Sequence, residues 1–291
     1  MTPLVFVIIA TALNRTSILI ERSLSSVYKQ SNIDAKKVKV VVVDDNEIGK
    51  DGLPLNFETN CLMINELRGN LNIHSSDFET FVMPNSRTKG SSGTGAWNTG
   101  IHSSFEQDPR GYVAILDDDD EFLPQHLYDC LQAVSNDVKI LAVFQELKWI
   151  NQDGSILDFP LTYDVINEIA FFIGNPGIQG SNMFFKTSSL MEIDGFDETL
   201  GGSTDRDLMI RFLKRNYKDG AEIKSIIRII NSIGVIHHNH HGERITQASL
   251  RKHKALDMFY KKHSSYYNED AYRSSLERAL KLFNYSPNCE Y

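Results

Sequence analysis

Cysteine is scarce. Cys61, Cys130 and Cys289 stand far apart and are odd in number among 291 residues. That excludes a disulfide framework and a zinc knuckle, and reads as reduced thiols in a cytosolic protein. Long apolar runs are lacking too. The N-terminal run over residues 4–13 is too short to cross a bilayer and has no basic leader, so neither a transmembrane helix nor a signal peptide is expected. No block of Lys and Arg offers a nucleic-acid footprint, and no nucleic-acid partner is expected. No internal repeat is visible. The rest is ordinary globular composition, 41% hydrophobic with a net charge of −8. The length fits one large α/β domain or two small ones.

The acid is unevenly placed. Asp117, Asp118, Asp119, Asp120 and Glu121 stand in a row after the apolar run 112–116. Five neighbouring carboxylates repel one another, so something must compensate them. One answer is a divalent cation at the end of a buried strand. The other is a solvated acidic turn beside a helix N-terminus.

The β-branched run 4–10 predicts a strand buried on both faces. Residues 16–30 have helical spacing, and 38–43 predict a second buried strand ended by Asp44-Asp45-Asn46. Strand, helix, strand in this order is a βαβ unit with a parallel pair. Further along, the pattern predicts a weak strand at 62–64, a polar loop over 85–95 and a helix from Ala96 to about 105. A strand at 112–116 precedes a helix running to about Val134, with Pro124 in its first turn and Glu121 read as its start. Then come a strand at 140–149 with a hairpin partner at 155–159, a strand at 183–186, a helix at 205–215, a strand at 226–236, and helices at 247–263 and 270–283. The expected fold class is α/β, with a mostly parallel central sheet flanked by helices. In such folds ligands gather at the carboxyl ends of strands. Three of those ends are polar here: Thr11 to Arg15, Asp44-Asp45, and Asp117 to Asp120.

In this order, the segments resemble the family 2 glycosyltransferases of the GT-A fold. Thr11-Ala12-Leu13-Asn14-Arg15 is similar to the family's Pro-Thr-Tyr-Asn-Arg turn, without its Pro and Tyr. Ser26-Val27-Tyr28-Lys29-Gln30 resembles the end of its first helix, and Val43-Asp44-Asp45-Asn46 its Val-Asp-Asp turn. Ala96-Trp97-Asn98-Thr99-Gly100 resembles Ala-Arg-Asn-x-Gly, with Trp97 in place of Arg. Leu116 to Asp120, with Pro124 beyond, is similar to the family's DxD motif. Gly195-Phe196-Asp197-Glu198 and Thr204-Asp205-Arg206-Asp207-Leu208 resemble Gly-Phe-Asp-Glu and Glu-Asp-x-x-Leu, with Thr204 in place of Glu. No single motif is specific; their order and spacing together are.

The resemblance implies a GT-A domain over 1–246, with a nucleotide-binding half (1–120) and an acceptor half (121–246), and a helical C-terminal extension, 247–291. It implies an inverting, metal-dependent glycosyltransferase that uses a nucleoside-diphosphate sugar, expected to be a UDP-sugar. The acceptor would be a hydroxyl of a saccharide or lipid-linked saccharide in polysaccharide synthesis. The metal, Mn²⁺ or Mg²⁺, would be held by Asp119 and Asp117, which share one side of an extended segment, with Asp117 or Asp118 near the ribose. Asp45 would accept from the uracil N–H, Thr11 would line that pocket, and Arg15 would approach the base or a phosphate. Asn98 and Gly100 would shape the loop under the nucleotide. His240, Arg244 and Thr246 would close over the diphosphate, with His240 as a further metal ligand. Gly180-Ser181-Asn182 would lie beside the acceptor. Asp205 would be the general base, ionised at neutral pH if its pKa is ordinary.

The run His237-His238-Asn239-His240-His241 invites a zinc site, but only distant Cys and His remain to complete one. The aromatics after 247 suit packing against the domain or docking at the inner face of a membrane, with the protein otherwise cytoplasmic. Two other functions remain open. A sugar nucleotidyltransferase would carry a glycine-rich signature after the first strand, where this chain has none. A non-catalytic sugar-nucleotide-binding protein draws support from Thr204 and Trp97.

Overall fold

Strands form where β-branched residues run together, and helices fill the intervals. The structure, a computed structural model, describes residues 3–90, 93–217, 222–239 and 249–287. Its first part alternates: β1 (Val5–Thr11), α1 (Thr16–Ile18), a π-helical stretch Leu19–Leu24, α2 (Ser25–Tyr28), β2 (Val38–Asp44), α3 (Phe57–Asn70), β3 (Glu79–Pro84), α4 (Thr94–Gln107) and β4 (Tyr112–Asp117). Then follow β5 (Glu121–Phe122), α5 (His126–Ser135), β6 (Ala142–Ile150), β7 (Ile156–Phe159), α6 (Glu168–Ile173), β8 (Met183–Lys186), α7 (Thr187–Met191), α8 (Thr204–Asn216), β9 (Ile227–His238), α9 (Leu250–His263) and α10 (Glu269–Phe283).

One sheet holds these strands in the order β3-β2-β1-β4-β8-β6-β9-β5, with β7 on β6. The first four are mutually parallel, and β9 is parallel to β6. β8 runs against both of its neighbours. The expected α/β class and mostly parallel core are present. β1 alternates its side chains between two cores. Val5, Val7 and Ile9 pack with Leu24, Val27 and Leu127. Phe6 and Ile8 pack with Ile101, Phe172 and Phe212.

Two expectations fail for stated reasons. The apolar triplet 62–64 is part of α3, where Ile64 is buried but Leu62 is exposed. The third parallel strand is β3 instead, on the outer side of β2. Glu121 does not start a helix; the next one begins at His126. Glu121 starts β5, which pairs antiparallel with β9 through Glu121↔Ile236 and Phe122↔Val235, because Phe122 buries its ring there.

The C-terminal helices share the core of the rest. Phe259, Tyr260, Ala271 and Ala279 join the cluster that contains Phe172, and Tyr267 stacks on Phe172 at 4.1 Å between ring centroids. The aromatics considered for membrane docking are thus largely turned inward, with Tyr266 left exposed. No described helix is long and apolar enough to cross a membrane. Cys130 is buried and Cys61 half-buried, both as free thiols; Cys289 lies outside the described residues. Phe259→Ala should lower stability by about 3–5 kcal/mol in urea denaturation, the usual cost of such a cavity. An unchanged main transition would mean that the extension folds apart from the sheet.

Candidate active site

Strand register brings the polar strand ends to one edge. β1 pairs Ala10 with Val43 on one side and with Asp117 on the other, and Thr11 with Asp44. The Thr11 turn, Asp44-Asp45 and the acid run therefore leave the sheet side by side. In the turn, Asn14 adopts left-handed backbone (φ 63°), which Asn tolerates better than most residues. Arg15 then reaches the acids.

Arg15 Nε donates to both oxygens of Asp118 at 2.8 Å, and Nη2 to Asp119 Oδ2 at 2.7 Å. Arg22 adds a bond to the Asp119 carbonyl at 3.2 Å. The hydrogen bond to Asp118 raises the Arg15 pKa further, against its partial burial. Burial raises Asp118 above its ordinary value, and the Arg15 contacts oppose this. The buried Thr11 hydroxyl lies beside the same carboxylate.

Asp120 is compensated differently. It is fully buried and accepts from Ser181 Oγ at 2.5 Å and from the His238 N–H at 3.1 Å; His237 Nδ1 lies 2.9 Å away. Burial alone would raise its pKa. The charge and hydrogen bond of His237, with the other two donors, outweigh that and lower it. His238 pairs with Glu121 at 2.7 Å. Ser181, expected beside the acceptor, ties two parts of the acid run together, since its Oγ also accepts from the Asp117 N–H at 3.1 Å.

Asp117 is the least compensated. Its pKa is raised well above normal by burial, then by Asp120, Asp119, Asp118 and Asp205. Asp117, Asp119 and Asp120 each present an oxygen, and these atoms all lie within 4.8 Å of one another. Such a set fits a hard divalent cation, which prefers oxygen and relieves like charge. Asp117 and Asp119 come together as the sequence implied, and Asp120 joins them. His240, Arg244 and Thr246 lie outside the described residues.

Asp45 is held by the loop after β3. Asn85 Nδ2 donates to one carboxylate oxygen at 2.6 Å, and the Gly90 N–H to the other at 3.0 Å. Asp44 is wholly buried, with its oxygens taken by Asn46 and Asn60. Asn98 is tied to the segment after Gly195. Buried on α4, its amide accepts from the Phe196 N–H and donates to the Phe196 carbonyl and to Glu198 Oε1, each at 2.8 Å. Gly195 makes this possible. Its φ is 61°, and a Cβ there would sit 2.2 Å from Asn98 Oδ1. Gly100 lets α4 approach β1, since a Cβ would stand 2.5 Å from Ile8 Cγ2.

Asp205 lies in the first turn of α8, which the chain enters through Ser203 in a left-handed conformation (φ 61°). Such conformations persist where the surroundings enforce them. Asp205 Oδ1 is buried with no hydrogen-bond partner among the described residues. Burial raises its pKa to about 7, against the charges of Lys252 and His237. It is therefore not an ordinary carboxylate, and its ionisation at neutral pH is incomplete. Sequence reasoning missed the Asp120–His237 contact and Lys252. The histidine run was visible, but only the pairing of β9 with β5 carries it to the acids.

The glycosyl transferase family 2 sequence model matches residues 7–194, so the Gly195–Glu198 and Asp205 segments lie past its end. Solved structures share the fold. S. aureus TarS 1–349 in complex with UDP aligns at a TM-score of 0.60 and 16% identity, covering 97% of this chain and 72% of that one. The same protein with UDP-GlcNAc gives 0.62 and 16%, covering 96% and 73%. Mannosyltransferase PcManGT from Pyrobaculum calidifontis, in complex with GDP-Man and Mn²⁺, gives 0.58 and 17%, covering 98% and 71%. No curated protein matches the chain significantly.

Glu198 gathers Asn98, the Thr88 N–H and Arg87. Burial would raise its pKa, but these donors hold it down at about 2. A lowered carboxylate contributes stability above its unfolded pKa and loses it as pH falls through the folded value. Glu198→Gln should therefore cost about 2 kcal/mol at pH 7 by urea denaturation. The gap to the parent should close as pH falls from about 4.3 toward 2.

Proposed function

The chain belongs to glycosyl transferase family 2, and on that premise we propose an inverting, divalent-metal-dependent transfer of sugar from a UDP-sugar to a hydroxyl of a saccharide or lipid-linked saccharide, in glycan synthesis. One observation carries this reading. An oxygen-donor cluster, Asp117, Asp119 and Asp120, stands at the same sheet edge as a carboxylate, Asp205, with a pKa near neutrality.

In this reading Asp117 and Asp119, with Asp120, hold Mn²⁺ or Mg²⁺, which when bound neutralises charge on the departing diphosphate. Asp45 is oriented by Asn85 and Gly90 and keeps lone pairs for a base N–H, because a carboxylate accepts about four hydrogen bonds. Thr11 lines the wall between Asp45 and Asp118. Arg15 has Nε and Nη2 engaged by Asp118 and Asp119, and its Nη1 is our candidate donor to a phosphate; Arg244 is a second candidate. Asp205 takes the acceptor hydroxyl's proton while that oxygen attacks the sugar's C1 in line, so the configuration inverts. A base with its pKa near the working pH balances ionised population against proton affinity. The ligands of the structural neighbours, UDP, UDP-GlcNAc and GDP-Man with Mn²⁺, support a nucleotide-sugar donor. The nucleotidyltransferase reading lacks its glycine-rich turn after β1. The non-catalytic reading loses Trp97, which packs on Phe196 with 5.0 Å between ring centroids.

UDP with Mn²⁺ should raise the melting temperature, while either alone should do less; ligand at 100-fold its Kd adds about 2.7 kcal/mol. A larger shift with GDP than with UDP would remove the pairing of Asp45 with uracil. Asp205→Asn should cut turnover by roughly 10²–10⁴ and leave UDP affinity intact. The wild-type rate should rise with pH through about 7, as Asp205 loses its proton. Near-normal turnover by the Asn variant would end its role as base.

A further inference from the structure

The loop beside Asp45 reaches a glycine that hydrogen bonds, not packing, hold in place. Gly90 is exposed in left-handed backbone (φ 74°), and a Cβ there would meet no heavy atom within 4 Å. Space therefore does not require glycine at this position; the backbone turn does. That turn lets residue 90 bond in two directions. Its N–H donates to Asp45 Oδ2 at 3.0 Å, and its carbonyl accepts from Arg251 Nη2 at 2.7 Å. The rest of the loop is fastened separately. Asn85 Nδ2 donates to Asp45 Oδ1 and to the Thr88 carbonyl, the Thr88 N–H donates to Glu198, and Lys89 Nζ donates to the Asn46 carbonyl. Among the described residues, it is Arg251 that holds the Gly90 carbonyl.

Helix chemistry alone would not put a cation where Arg251 stands. It lies in the first turn of α9, just after the N-cap Ser249, whose Oγ accepts from the Lys252 N–H at 3.1 Å. The positive end of a helix disfavours a cation there, and that turn holds no acid to offset it. The helix that carries Arg251 is firmly seated. Leu256, Phe259 and Tyr260 are buried in the core. At the far end, Lys262 Nζ and His263 Nε2 lie 2.6 and 2.8 Å from Asp207 Oδ1 of α8. Arg251 itself is exposed. It thus reaches across 161 positions of chain from a fixed base, without serving the core.

We propose that Arg251 is a positioning residue for the donor nucleotide: it holds Gly90, and through the Gly90 N–H the orientation of Asp45, so that the C-terminal helix α9 completes the base pocket. This rests on Asp45 as the carboxylate that binds the base. No bond is made or broken at Arg251; it acts through Gly90 and Asp45. A carboxylate held by donors on both oxygens before the base arrives has less freedom to lose on binding, and releasing one donor restores that cost.

The test is titration calorimetry on the full chain with Mn²⁺, using whichever of UDP and GDP binds more tightly. Arg251→Met keeps the stem and removes the donors, and an exposed substitution of this kind should fold. It should weaken the nucleotide about fivefold, the worth of one ordinary hydrogen bond. Arg251→Lys keeps a donor and should recover most of that loss. Asp45→Ala should weaken binding by itself. Adding Arg251→Met to it should then change Kd by less than about twofold, because both act on one contact. An Arg251→Met chain with unchanged affinity overturns the proposal. So does a Lys variant as weak as the Met variant, or a loss that persists in full on Asp45→Ala. A wild-type chain that binds neither nucleotide, or an Asp45→Ala chain with wild-type affinity, overturns the base reading first, and the role of Arg251 with it. A weakened Asp45→Ala beside an unchanged Arg251→Met removes only the role of Arg251.

Discussion

Repulsion among the carboxylates at the end of β4 is the constraint around which this site is arranged. Four aspartates in sequence cannot all stay charged beside one another without partners. Two different solutions are distributed along the run, and one aspartate is left without either. Arg15 answers Asp118 and part of Asp119. Ser181, His237 and the His238 N–H answer Asp120. Asp117 is left with burial and like charge. The uncompensated remainder is where a cation would gain most from binding, so in the proposed reading the repulsion that costs stability in the free protein would supply affinity for a metal.

Around this edge the polar groups are tied to one another. Asp44 is satisfied by Asn46 and Asn60, Asp45 by Asn85 and Gly90, and Glu198 by Asn98, Thr88 and Arg87. Buried networks of this kind rigidify when every member is paired. They hold the loop after β3 against the sheet edge and against the Gly195 turn. Asp207 does the same for the helices, gathering Arg211, Lys262 and His263; their charges and hydrogen bonds hold it at about 2 despite its burial. Asp205 and Asp207 therefore differ in kind, though two positions apart on α8. One carboxylate is paired and structural. The other is raised toward neutrality, with one oxygen unpartnered among the described residues.

Much of this was legible beforehand. Strand and helix periods placed β1, β2, β4, β8, α8 and both terminal helices, because continuous apolar runs and amphipathic spacing are local signals. Asp117 and Asp119 followed from the two-residue alternation of an extended segment. The sequence motif around Asn98 does not reveal which atoms its amide meets; Phe196 and Glu198, about a hundred positions on in the chain, take them. β3 was missed because an edge strand with alternating exposure carries a weak apolar signal.

By itself, the sequence determined the α/β class, the order of the elements, the acid run and the separate carboxylate on α8. Those follow from short-range pattern and residue chemistry. Tertiary structure decided which aspartate each cation answers, that His237 belongs to Asp120, and that Asp205 is raised to about 7. Pairing and desolvation depend on atoms far apart in the chain, and only the assembled sheet with α9 packed beside α8 brings those atoms within a few ångströms.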